Sequence, residues 1–197
     1  MAINPTLTGL DGCAIISTVP HHATEERNCN MDFERVCLDT WARKEHFLHY
    51  FSQVPCFYSM TVDLDVTELK RRGGRFYPAV LYSLAVIVNR HREFRMAFNE
   101  EGVLGWYDQL SPSYTVFHPD TESFSCLWTE YTPDPSAFLQ RYEEDLRLYG
   151  RVESFEAKPH TPPNVVNVSM IPWQVFTSFY LELPRGGEYL LPIFTLG

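Results

Sequence analysis

Two hydrophobic periods take turns along this chain, and their alternation limits its fold more than any single motif. In FYSMTVDLDV (57–66), Met60, Val62, Leu64 and Val66 share one side, and Thr61, Asp63 and Asp65 the other. That period of two predicts a half-buried strand. Further on, PAVLYSLAVIVNRH (78–91) switches to helical spacing, with Val80, Leu81, Leu84, Ala85 and Val88 on one buried face behind Pro78. A chain that changes period in this way must bury a sheet face against helix stripes.

The remaining elements follow the same logic. WARKEHFLHYF (41–51) predicts a helix with Phe47 and Tyr50 or Phe51 on one face, and Thr67 caps a short helix that Gly73-Gly74 ends. FRMAFNEEGVLGWYD (94–108) predicts a hairpin turning at Asn99–Gly102. Strands are expected at 113–118, 124–131, 164–171, 175–183 and 189–196. Pro135 opens a second long helix to Tyr149, with Phe138, Tyr142, Leu146 and Tyr149 at helical spacing before Gly150. Strands and helices interleave without a strict βαβ rhythm, so the expected class is α/β, a mixed β-sheet covered by helices.

The formal net charge of −9 argues against nucleic acid and anionic membranes as partners, since both select a basic face. A polyanionic ligand would need a local basic site. Cys13, Cys29, Cys37, Cys56 and Cys126 are odd in number and scattered, without CxxC or metal-ligand spacing, which predicts free thiols, a cytoplasmic setting and no metal. No apolar run approaches the roughly 20 residues of a membrane span. Residues 1–30 mix turn formers with polar clusters and lack the basic start of a secretory signal. They read as a flexible N-terminal extension, with Met31 as a fresh start and one domain over 31–197.

Six stretches carry a resemblance: WARKEHF (41–47), VPCFYSMTVDLDVT (54–67), FYPAVLYSLAVIVNRHREFRMA (76–97), PSYTVFHPDTESFSCLWTEY (112–131), NVVNVSMIPWQVFTSF (164–179) and LLPIFTLG (190–197). In this order the chain resembles the type A chloramphenicol acetyltransferases. The resemblance implies a two-layer α/β sandwich of the CoA-dependent acyltransferase kind, and a homotrimer with active sites between subunits. It also implies acetyl transfer from the co-substrate acetyl-CoA to the 3-hydroxyl of chloramphenicol, conferring antibiotic resistance.

That chemistry needs a base for the hydroxyl proton and a donor for the tetrahedral oxyanion. By the resemblance, Ser169 is the oxyanion donor; read alone, it is a strand serine satisfied by a neighbour. Arg43 matches the arginine that pairs with an aspartate just after the catalytic histidine; read alone, it is a solvent-facing helix charge. Tyr50, Cys56, Tyr58, Thr115, Phe124, Phe179, Leu181, Ile193 and Thr195 match positions lining the drug pocket, where plain core packing is the alternative for each aromatic. Trp173 matches a position near the substrates and is assigned to the cofactor side. Cys56 reads as a pocket-wall thiol, because no basic neighbour in sequence activates it.

The family's base lies in an HHxxxDG motif, and none of His21, His22, His46, His49, His91, His118 or His160 stands in one. His21-His22 follow the apolar run CAIISTV, but Glu26 and Arg27 stand where the motif has Asp and Gly. A circular permutation supplying the base from the N-terminus is therefore weaker than two exposed tail histidines. His46 and His49 read as surface or packing residues. The chain thus reads as ending before the family's last strand and helix, which leaves Arg43 without its partner aspartate. Exposed apolar surface, open strand edges and aggregation are the expected result. The alternative function is a non-catalytic remnant or pseudo-enzyme that at most binds chloramphenicol.

Overall fold

The computed structural model describes residues 33–71, 73–181 and 189–197. The extension assigned to residues 1–30, with His21 and His22, lies outside them. Strand β1 (Phe33–Arg35) leads to helix α1 (Lys44–Leu48), which continues as a π-helical turn, His49–Gln53. Then come α2 (Thr67–Arg71), α3 (Phe76–Arg90), a 3₁₀ turn (Arg92–Arg95), β2 (Met96–Phe98) and β3 (Leu104–Tyr107). The chain proceeds through β4 (Ser111–His118), β5 (Ser123–Trp128), α4 (Pro135–Tyr149), β6 (Val165–Met170) and β7 (Ile193–Leu196).

The strands form two sheets. One is three-stranded in the order β1-β3-β2, antiparallel throughout; the other is four-stranded in the order β5-β4-β6-β7. In the larger sheet β4 and β5 are antiparallel, while β4–β6 and β6–β7 are parallel, so it is mixed as expected.

The long helices form where sequence logic puts them. Asp134 caps α4: its Oδ1 accepts from the Ser136 N–H at 2.8 Å and the Ala137 N–H at 3.3 Å, with Pro135 in the first turn. Phe138 and Tyr142 then point inward one turn apart and join Leu81 of α3 with Tyr114, Leu127 and Val168 of the sheet in one cluster. A second cluster joins Val88 of α3 to Ala97, Tyr107, Leu110, Val166 and Leu191, tying the helix to both sheets. Pro78, Leu81, Ala85 and Val88 form the buried stripe of α3, flanked by half-buried Val80 and Leu84. The hairpin turns where expected. Asn99 Oδ1 accepts from the N–H groups of Glu101 and Val103, and Gly102 takes a φ of +73°.

Three expectations need correction. Residues 57–66 form no strand; Tyr58 is 91% exposed, Met60 77% and Leu64 66%. Residues 175–181 form none either, with Val175 92% exposed, and 182–183 lie outside the described residues. The physical reason is common to both. Alternation makes a strand only where a backbone ladder is available, and these segments are joined through side chains: Ser59 Oγ donates to the Phe179 carbonyl at 2.6 Å, and the Phe179 N–H to Thr61 Oγ1 at 3.2 Å. The predicted strand 189–196 shortens to Ile193–Leu196, because Pro192 offers no N–H to the ladder.

Candidate functional site

Alternation on the four-stranded sheet separates two faces. Tyr114, Leu127 and Val168 face the helices, so their sequence neighbours face away from them. On that other face Ser169 pairs in register with Thr195, and Thr115 with Cys126. Tyr114 pairs with Val168, so Thr115 and Ser169 stand one register step further along the same two strands. Thr195, Ser169, Thr115 and Cys126 therefore form a row of small polar side chains across β7, β6, β4 and β5. Ser169 is half-buried, and its Oγ donates to Thr195 Oγ1 at 3.1 Å.

Aromatic residues stand two positions further along. Phe117 pairs with Phe124 across β4 and β5, Trp173 packs on Phe117 at 4.9 Å between centroids, and Phe155 meets Phe124 edge-on at 5.9 Å. Phe124, Phe155 and Trp173 are all exposed. On the other side of the row, Ile193 pairs with Asn167, whose Nδ2 donates to Tyr189 Oη at 2.9 Å. Burial raises the Tyr189 hydroxyl above the ordinary tyrosine range, with the Asn167 contact opposing the shift. Burial also raises the Cys126 thiol, which argues against it as a nucleophile.

A separate cavity of about 690 Å³ opens beside α1, where Arg43, His46, Tyr50 and Cys56 meet Trp41, Arg92 and Trp106. Trp41, Phe47 and Phe51 line it, with Phe47 and Phe51 stacked at 5.2 Å and both packed on Phe98. Arg92 lies over the Trp106 ring at 3.7 Å and pairs with Glu34. Arg43 precedes α1, is exposed, and pairs with no carboxylate among the described residues. The sequence-predicted residues thus fall into three sets. Ser169, Thr195, Ile193, Thr115, Phe124 and Trp173 share one sheet face, while Arg43, Tyr50 and Cys56 share the cavity. Tyr58, Phe179 and Leu181 lie on the two side-chain-linked segments. Of the predicted site residues, Arg43, Tyr50 and Cys56 line this cavity, and the other two sets do not.

Phe117, Phe155 and Asn167 were not singled out from the sequence. Alternation through β4 and β6 marks Phe117 and Asn167 as sharing a face with Thr115 and Ser169, a signal already present in the strand pattern. Phe155 carried no signal, because its place depends on a loop folding back onto β5. No histidine is a hydrogen-bond partner of Ser169 among the described residues. His118 faces the helices, with its Nε2 3.0 Å from Ser125 Oγ. His49 Nδ1 lies 2.9 Å from Gln53 Oε1. No group of His, Cys, Asp or Glu among the described residues could hold a metal ion, and none of their helices is long and apolar enough to cross a membrane.

Comparison with known proteins gives a consistent picture. A family model described as chloramphenicol acetyltransferase matches residues 31–197. A chloramphenicol acetyltransferase of Clostridium perfringens is 54% identical over 85% of this chain and 81% of its own length. One of Campylobacter coli is 49% identical over the same shares, and one of Staphylococcus aureus is 44% identical over 85% and 81%. A solved chloramphenicol acetyltransferase superposes with a TM-score of 0.61 at 19% identity, covering 83% of this chain and 77% of that one, a likeness of fold.

Proposed function

The chain belongs to the chloramphenicol acetyltransferase family, and from that premise we propose that its site is built to pass an acetyl group from acetyl-CoA to the 3-hydroxyl of chloramphenicol. The observation that carries this reading is Ser169, half-buried on the open sheet face, its hydroxyl held by Thr195 within a row of polar groups beside aromatic walls. Turned from Thr195 toward the open face, its single proton donates to an oxyanion that develops over the sheet, an interaction worth about 10²–10³ in rate for one such donor. The neighbouring rings suit a nitrophenyl group and a dichloroacetyl group, with Thr115 and Thr195 to orient them. Trp173 offers an exposed aromatic face for the acyl donor.

The reading includes a homotrimer in the cytoplasm. Tyr58, Met60, Val62, Leu64, Val175 and Leu181 are exposed on two adjoining segments, an apolar area that a neighbouring copy would cover. Such a copy would also bring the three separate sets of site residues toward one cleft.

The general base belongs to HHxxxDG, which these 197 residues do not contain. The residues present offer the oxyanion donor and pocket walls. A second reading is a non-catalytic form that binds chloramphenicol without turning it over. An acetyl-CoA and chloramphenicol assay on the chain as written, and on one extended by a strand and helix bearing HHxxxDG, separates the two. Turnover by the extended chain alone supports the enzyme reading, and failure of both removes it. Turnover by the chain as written would eliminate the non-catalytic reading and make His22 the candidate base.

A further inference from the structure

A buried polar chain runs behind β5 from the helix layer. Tyr114 Oη lies 2.9 Å from Thr129 Oγ1, Thr129 Oγ1 donates to Asp145 Oδ2 at 2.8 Å, and Lys158 Nζ donates to Asp145 Oδ1 at 2.6 Å. The Lys158 and Asp145 side chains are only 16% and 11% exposed, so this pair differs from the exposed ion pairs elsewhere on the molecule. Lys158 Nζ also donates to the Trp128 carbonyl at 3.0 Å and sits 3.8 Å from the centre of the Trp128 ring. One ammonium thus joins α4, the end of β5 and the loop that follows α4.

That loop carries the site's outermost aromatic residue. Residues 155–157 lie along the outer edge of β5. The Cys126 N–H donates to the Phe155 carbonyl at 2.6 Å, and the Ala157 N–H to the Cys126 carbonyl at 3.2 Å. Two backbone bonds and the buried Ala157 side chain are a slender hold, and Lys158 is the next residue. Phe155 itself is 64% exposed, so packing does not fix it; its ring meets Phe124.

We propose that Lys158 and Asp145 are positioning residues for the acceptor site: their buried pair clamps residues 155–157 to β5 and so holds the Phe155–Phe124 wall in place. This rests on the reading above that Phe124 lines the chloramphenicol pocket. The pair touches no reacting atom and acts only through that wall.

The test uses the 197-residue chain with K158M, K158R and the charge-free double variant D145N/K158M, which guards against simple misfolding from a stranded carboxylate. Amide exchange at Cys126 and Ala157 reports the clamp. It should quicken about tenfold in K158M and the double variant, while Val166 and Val168 in the sheet centre stay protected. Chloramphenicol affinity, titrated by tryptophan fluorescence, should weaken about tenfold. Affinity for acetyl-CoA should stay within a factor of about two, and K158R should recover most of the loss. Unchanged exchange at Cys126 and Ala157 overturns the clamp. Faster exchange with unchanged drug affinity overturns the positioning role and leaves only an edge cover. If the unmodified chain binds no chloramphenicol, the drug-site reading fails and the positioning role with it, and exchange still decides whether the clamp exists.

Discussion

Ser169 gives its single hydroxyl proton to Thr195 Oγ1, so the contact fixes its rotamer and the proton must turn from Thr195 to serve an oxyanion. Thr195→Val keeps the shape and removes the acceptor. It should lower stability by about 1 kcal/mol, read by urea titration, and Thr195→Ser should restore most of that. An equally stable valine variant would show that the contact does not orient Ser169. Ser169 enters the proposal through the motif around it, since a lone strand serine signals nothing. Its partner became visible only with the register of two strands separated by more than twenty residues. Arg43 shows the opposite limit: the pattern put it inside a helix over 41–51, whereas α1 starts only at Lys44 and Arg43 pairs with no carboxylate among the described residues.

At the scale of elements, legibility followed local physics. The α4 helix was readable from end to end because Pro135, the helical spacing of Phe138, Tyr142, Leu146 and Tyr149, and Gly150 agree within one stretch. Asp134→Ala should remove its cap at a cost of about 1 kcal/mol. For a chain of this size that lowers Tm by about 2–4 °C in a thermal melt. The segments 57–66 and 175–181 misled the pattern because alternation states which residues could share a face, not whether a partner strand exists. Buried tyrosines give α4 a pH signature. Desolvation pushes the Tyr142 hydroxyl up to about 12 and also raises Tyr77 and Tyr114. In the unfolded chain these groups ionise near pH 10. Their neutral form favours the fold, so the contribution is complete below pH about 10 and is lost as pH rises through the folded values. Urea titrations at pH 9 and 11 should show stability falling with pH, and Tyr142→Phe should flatten that fall by about 1 kcal/mol. A phenylalanine variant with the same slope would contradict the assignment to Tyr142.

At the scale of the molecule, the mixed sheet covered by helices was readable from the alternation of periods, and the family from six short stretches in order. The division of the site into three sets was not readable, because residues 57–66 and 175–181 join each other through side chains instead of a strand ladder. Sedimentation velocity should find a trimer closed over those apolar segments. A monodisperse monomer would contradict this. The central claim is that Ser169 stabilises the oxyanion of acetyl transfer, and it is tested most directly by kcat of the HHxxxDG-extended chain with and without Ser169→Ala. The account predicts a fall in kcat of about 10²–10³, with KM for chloramphenicol within about threefold. An alanine variant that acetylates chloramphenicol at the unmodified rate would contradict it.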